Sequence, residues 1–324
     1  MYKFQPILKQ LVWGGDRILS FKQISSHLHE VGESWELSAV PGNLSVVAEG
    51  PEQGMTIVEL IAKHRERLVG RDNYERYGTA FPLLIKFIDA QRDLSIQVHP
   101  NDVLARRRHG TNGKSEMWYV IDADRGARLC SGLAQPITKD DYVRIVREGT
   151  FTHVLHYDEV HPGDVYYMPA GRVHSIGAGC FVAEIQQTSD ITYRIFDYNR
   201  RGVDGKLREL HTQLAKDAID YEVQKEYRIP YTRTLNTRVP VVDCPHFATS
   251  VLDLSEPIDC DYTGFDSFII YICVAGRALL VDKATGDSMP IRMGETVLVP
   301  SATEVVSVLP DDRARLLVCS NQQW

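Results

Sequence analysis

The chain lacks any long apolar run. Its longest strongly apolar stretch, Phe268–Ala275, is far shorter than the roughly 20 residues a membrane-spanning helix needs. The opening MYKFQPILKQLVWGGDR has no apolar core of the secretory type. Cysteine is sparse, with six residues at 130, 180, 244, 260, 273 and 319. None forms a C-x-x-C pair, so a thiolate zinc knuckle is not expected. Nor is there an excess of one sign of charge. The formal net charge is −7, with acids and bases interspersed, which gives neither a nucleic-acid stripe nor a polybasic membrane patch. The expectation is a soluble cytoplasmic protein with reduced thiols, without nucleic-acid or membrane partners. A mildly acidic balance still admits a phosphorylated substrate, because a few local Lys and Arg suffice to bind one.

What is present is strand signal. SWELSAV, PLLIKFI, LSIQVH, EMWYVID, DVYYMPA, CFVAEIQQ, FIIYICVA, RALLVD, ETVLVP and ARLLVCS are short, β-branched and aromatic, and are separated by Gly, Pro, Asn or Asp. Two segments carry helical spacing, 57–69 and 207–221. Regular short strands without alternating helices predict an antiparallel barrel or sandwich rather than a βαβ fold.

The chain also carries a weak internal repeat. GDVYYMPAGRVH at 163–174 aligns with GETVLVPSATEV at 294–305, and Gly126 after EMWYVIDADR aligns with Gly276 after SFIIYICVA. The C-terminal part therefore reads as a second copy of the same hairpins. Val305 stands where His174 stands in the first copy, so a metal-binding role belongs to the first copy alone. Residues 229–238 read as the connection.

Two strand-borne clusters carry the chemistry. Gln97 and His99 lie at i and i+2 and so point to one face of a strand. His174 follows a Pro-Ala-Gly turn that can hold an imidazole at the mouth of a barrel. With Glu116 at the start of EMWYVI, these are the candidate metal ligands. Imidazoles and a carboxylate suit zinc, and by donor type Fe(II), Mn(II), Co(II) or Ni(II) fit as well. A lone strand histidine is more often a packed core residue than a ligand; the joint appearance of these residues favours ligation. The rival cluster His27, His29 and Glu30 sits in a polar segment and reads as a solvated loop. His153, His156 and His161 read as surface residues.

GDVYYMPAGRVH fits the second cupin motif, G-x5-P-x-G-x2-H. The first cupin motif is replaced by QVHPND followed by KSEMWYVI. This combination resembles type I mannose-6-phosphate isomerases in their short bacterial form. Supporting segments run in order from VWGGDR at 12–17 through GESWELSAVPG, LLIKFIDA, LSIQVHPND and GKSEMWYV to EIQQTSDITYRIFDYNR at 184–200. The resemblance implies a mainly β fold of two cupin-type (jelly-roll) antiparallel barrels with a few short helices. Residues 1–230 would form the catalytic metal-binding unit, and 231–324 a degenerate barrel without ligands.

The same resemblance implies one Zn²⁺ on Gln97, His99, Glu116 and His174, a catalytic arginine at Arg194, and further site residues Lys86, Lys114 and Asp190. It implies interconversion of mannose 6-phosphate and fructose 6-phosphate through a cis-enediol, in a monomer or weak homo-oligomer. Lys114 and Lys86 are expected to shuttle protons if burial lowers their pKa. Glu33, Trp35, Glu36 and Trp13 belong to matching segments without an assigned role. The alternatives from other classes are a non-haem iron dioxygenase, which oxygen-dependent activity with Fe(II) would reveal, and a non-catalytic sugar-binding cupin. The long-form enzymes carry an additional helical domain that this chain is too short to contain.

Overall fold

The strand Leu83–Asp89 is buried at every position, because both faces of its sheet are covered. The computed structural model, which describes residues 1–202 and 205–323, is mainly β. Its first large sheet has the antiparallel order Val165–Met168, Glu116–Ala123, Cys180–Gln187, Leu83–Asp89, Val31–Leu37, Ile7–Gly15. Successive strand residues alternate faces. Leu83, Ile85, Phe87, Met117, Tyr119, Ala183 and Ile185 therefore pack on one side, in a core shared with Ile270, Ile272, Leu298 and Leu317 of the C-terminal strands. Ile88, Trp118, Val120 and Val182 face the other way. Double burial explains why these strands read as near-continuous apolar runs.

A second sheet has the order Leu155–Glu159, Arg128–Leu133, His174–Ile176, Ile96–Val98, Tyr193–Phe196. Its inner face meets the first sheet, where Leu129 and Ile176 pack against Trp118, Tyr166 and Val182. On its outer face Ile96, Val98, Tyr193 and Ile195 pack against Tyr142, Ile145 and Ala215. Those last three come from the helices Lys139–Arg147 and Thr212–Ala218. The two sheets keep separate hydrogen-bond ladders and face each other as an open antiparallel pair.

Seven C-terminal strands and Tyr2–Lys3 form an eight-stranded sheet around the long antiparallel pair Ile269–Asp282 and Val305–Ser320. The first strand of the chain, Tyr2–Lys3, pairs with Thr296–Val299 in this sheet. A buried ion pair adds to the same junction: Lys22 Nζ lies 2.7 Å from Glu36 Oε2 and also donates to the Gly294 carbonyl. Gly163 and Gly294, at φ 97° and 85°, each precede a strand, and so do the segments that lead to His174 and Val305. Gly126 and Gly276 occupy the same left-handed region, which glycine enters without steric cost. The last residue of the C-terminal segment, Trp324, and residues 203 and 204 lie outside the described residues.

The helical expectations need correction. Segment 57–69 is two helices, Ile57–His64 and Glu66–Val69, broken at Arg65 with φ 48°. The first starts at a Thr56/Glu59 capping box, which satisfies backbone N–H groups that have no intrahelical partner. Of 207–221 only Thr212–Ala218 is helical; Leu207 and Leu210 are exposed. Arg17–Phe21, Arg71–Tyr77, Asp102–His109 and Lys139–Arg147 are further helices that periodicity does not reveal. Asp102–His109 buries only Leu104 and Ala105, too few for an apolar stripe.

The six cysteines are unpaired and buried. Among the described residues no helix is long and apolar enough to cross a membrane.

Candidate metal centre

Strand register assembles the site as two facing rows. On the second sheet Ser131, His174, Gln97 and Arg194 are successive cross-strand partners. On the first sheet Trp35, Lys86, Glu184 and Trp118 form the matching row, with Glu116 one inward position before Trp118. Parity places every one of these side chains between the sheets. Their neighbours Val98, Tyr193, Ile195, Ile85, Met117 and Ile185 face the apolar cores.

His99, Glu116 and His174 converge within 4.8 Å of one another. His174 Nε2 lies 3.2 Å from Glu116 Oε1, and His99 Nε2 lies 3.5 Å from Oε2. The Gln97 amide nitrogen is 3.3 Å from His174 Nε2; turning that amide over presents its oxygen at the same place. Tetrahedral zinc with bonds of about 2.0–2.1 Å separates neighbouring donors by roughly 3.3 Å, so these spacings match a coordination shell. The two Nδ1 atoms face the carbonyls of Ile191 and Arg172 at 2.7 and 2.8 Å. Each ring therefore carries its proton on Nδ1 and aims the Nε2 lone pair at Glu116. Burial depresses both imidazole pKa values, that of His99 strongly, which keeps the rings neutral as ligation requires.

Both Glu116 oxygens are buried without a hydrogen bond of acceptable geometry, although Lys114 Nζ lies 2.8 Å from Oε2. Lys114 is the ion-pair partner of Oε2, but Oε1 faces the lone pair of His174 Nε2 with no donor, a costly arrangement for a buried carboxylate unless a further cation completes it. The donor set, its spacing and this under-coordinated carboxylate all fit a divalent transition-metal ion.

Above the triad opens a cavity of about 420 Å³. Gln97, His174, Lys86, Lys114 and Arg194 line it, along with Trp13, Glu33, Trp35, Glu184 and Arg208. Lys86 Nζ lies 3.4 Å from Glu184 Oε1, and Trp118 Nε1 donates to Glu184 Oε2 at 2.9 Å. Burial alone would lower the Lys114 ammonium, but the carboxylates of Glu116 and Glu184 outweigh it and raise the pKa above its usual value. This reverses the expectation that burial would lower it. Burial likewise works to raise the Glu184 pKa, yet Lys114 and Lys86 pull it below the usual range.

Arg194 does not form the ion pair with Asp190 or Asp197 that would have made it structural. Asp197 is taken by Arg200 and Arg208, and Arg194 Nη1 donates instead to the Glu209 carbonyl at 2.9 Å. Burial, then the Arg208 guanidinium, lowers the Arg194 pKa. Asp190 is exposed and does not line the cavity. His27, His29 and Glu30 are exposed residues of an irregular segment. His153 and His161 are exposed, and His156 pairs with Asp158.

Lys9, Glu184 and Arg208 are charged cavity residues that sequence reasoning missed. A single carboxylate within the apolar run CFVAEIQQ was a usable signal for Glu184. Arg208 gave none, because tertiary folding alone brings its segment to the cavity.

A family model described as phosphomannose isomerase type I, catalytic domain, matches residues 1–125. Mannose-6-phosphate isomerase ManA of Bacillus subtilis is 33% identical over 301 residues, 92% of each chain. Mannose-6-phosphate isomerase of Streptococcus mutans is 37% identical over 215 residues, 66% of each chain. The crystal structure of mannose 6-phosphate isomerase from Bacillus subtilis has a TM-score of 0.88 at 31% identity, covering 98% of each chain. With its length and its fold both matched, the chain belongs to the type I mannose-6-phosphate isomerase family.

Proposed function

We propose that this protein interconverts mannose 6-phosphate and fructose 6-phosphate through a cis-enediol, using one zinc ion held by Gln97, His99, Glu116 and His174. The observation that carries the reading is the convergence of His99, His174 and the buried Glu116 carboxylate beneath a cavity lined by Lys86, Lys114 and Arg194. Bound zinc would supply Lewis acidity to the sugar oxygens at C1 and C2.

The protein's own residues supply the rest. Isomerisation moves a proton between C1 and C2 and another between their oxygens. Lys114 and Lys86 are ammonium donors at the cavity wall, each beside a carboxylate that can take a proton back. Glu116 and Glu184 keep Lys114 charged, which suits it to protonate a sugar oxygen rather than to abstract from carbon. Arg194 adds a permanent planar cation to the cavity wall, suited to hold an anionic group of the substrate. Trp13, Trp35 and Trp118 wall the cavity and limit water access on that side. Because Asp190 lies on the exposed segment ahead of Arg194, we assign proton transfer at the sugar oxygens to the lysines and not to it.

The paired open sheets support a cupin-type reading. In it, residues 1–230 form the metal-binding unit and 231–324 the degenerate copy. We infer a cytoplasmic enzyme acting on a small sugar phosphate as a monomer or weak homo-oligomer. The deciding experiment is a coupled assay for fructose 6-phosphate formed from mannose 6-phosphate, before and after chelation and zinc reloading. No turnover by the metal-loaded protein would overturn the reading.

A further inference from the structure

Three guanidinium groups, Arg194, Arg200 and Arg208, gather around a single buried carboxylate, Asp197. Arg208 spends Nε, at 2.7 Å, and Nη2 on the two Asp197 oxygens. Arg200 Nη2 donates to Asp197 Oδ1 at 2.7 Å, and its Nη1 is spent on the Asp93 carbonyl. The other nearby acid, Glu209, has a side chain 83% exposed and offers Arg194 only its backbone carbonyl. One carboxylate cannot neutralise three cations, so this end of the cavity carries surplus positive charge.

Donors are left over as well. Arg194 Nε is buried with no acceptor, and Arg208 Nη1 has no hydrogen bond among the described residues. Both side chains line the cavity. On the opposite side the acids Glu33, Glu116 and Glu184 are matched by Lys9, Lys86 and Lys114, so that side is balanced and the surplus lies on the arginine side.

The backbone holds this arrangement in place. The His211 N–H donates to the Arg194 carbonyl at 2.7 Å, and the Arg194 N–H donates to His211 Nδ1 at 3.3 Å. The segment carrying Arg208 is thereby pinned beside the strand carrying Arg194. Tyr198 and Asn199 both adopt φ 54°, an unfavourable region for residues with a side chain. The tight turn they make folds Arg200 back onto Asp197.

We propose that Arg194 and Arg208 together form the anion fork that holds the phosphate of the substrate, with Asp197 and Arg200 as the frame that aims Arg208. The proposal rests on the isomerase reading and adds to it the grip on the 6-phosphate. The phosphate stands at the far end of the hexose from C1 and C2, so it must be held away from the triad. In the row His174, Gln97, Arg194, the arginine is the member furthest from Glu116. Two planar forks match phosphate oxygens in a way point-charge lysines do not.

The test uses the metal-loaded full-length protein and the variants R208Q and R208K. Inorganic phosphate binding is measured by calorimetry, and kcat and KM are measured with mannose 6-phosphate. R208Q should keep its metal content, while KM and the phosphate Kd both rise on the order of 10-fold or more, the scale of a lost charge-assisted hydrogen bond. R208K keeps the charge but cannot span Asp197 and the phosphate at once; it should shift both values in the same direction by less. If R208Q does not fold, R208K decides alone. Unchanged KM and phosphate affinity in an enzyme that turns over would overturn the fork and leave the isomerase reading standing. A wild type that binds phosphate through Arg208 without turning over mannose 6-phosphate would do the reverse.

Discussion

His174 and Gln97 are direct cross-strand partners, with His174 Nε2 3.3 Å from the Gln97 amide although the two residues are 77 apart in sequence. This pairing joins the two motif clusters into one site. It also sets the order of the inner row, since the next partner of Gln97 is Arg194. Candidate metal ligands and cavity arginine are therefore held by one ladder, and a register slip of one residue would turn all of them out of the site.

Replacing His174 by Ala should abolish both bound metal and isomerase activity, as should His99→Ala. Metal analysis alongside the coupled assay checks this. Retention of stoichiometric metal in either variant would show that the triad is not the metal site.

Chelation should lower the thermal transition, and adding zinc should restore it. A ligand bound only by the folded state at about 100 times its Kd stabilises by roughly 2.7 kcal/mol. Calorimetric scans with and without chelator measure the difference. Coincident transitions would mean that metal and fold are not linked.

Arg194→Ala should keep its metal while KM for mannose 6-phosphate and the phosphate Kd rise on the order of 10-fold or more, the scale of a lost charge-assisted hydrogen bond. Loss of metal instead would make Arg194 a support for Gln97 and not a phosphate-binding group.

Glu184→Gln keeps the acceptor for Trp118 but leaves Lys86 without its nearer carboxylate. Both partners are buried, with side-chain exposures of 9% for Lys86 and 4% for Glu184. Breaking such a pair costs about 3–5 kcal/mol, so denaturant unfolding should show a loss of that order together with reduced activity. A second carboxylate, Glu33 at 3.8 Å from Lys86, places the loss toward the lower end.

Asp197 gives a pH dependence. Burial alone would raise its pKa, but the hydrogen bonds and charges of Arg208 and Arg200 outweigh burial and hold it below the usual value. The folded state then binds the proton less readily than the unfolded state. The resulting stability is fully present above the unfolded value, near ~4, and is lost as pH falls through the lower folded value. Asp197→Asn should flatten that acid limb of the unfolding midpoint. An unchanged slope would show that the arginines do not stabilise the carboxylate.

Most strands were legible in the sequence because β-branched and aromatic runs bounded by turn residues have few other ways to fold. The four metal candidates were legible through the order of their motifs. Helices such as Asp102–His109 were not legible, because their few buried residues leave no periodic stripe.

The sequence by itself determined that the chain is mainly β and which residue types stand ready for a metal. Tertiary structure alone decided that Lys114 gains a raised rather than a lowered pKa, that Glu184 completes the facing row, and that Asp190 stays outside the cavity. It also decided that Arg208 arrives beside Arg194. Motif order and residue type are local properties of the chain, whereas charge balance and desolvation depend on which distant segments pack together. Those become defined only when the two sheets close on each other.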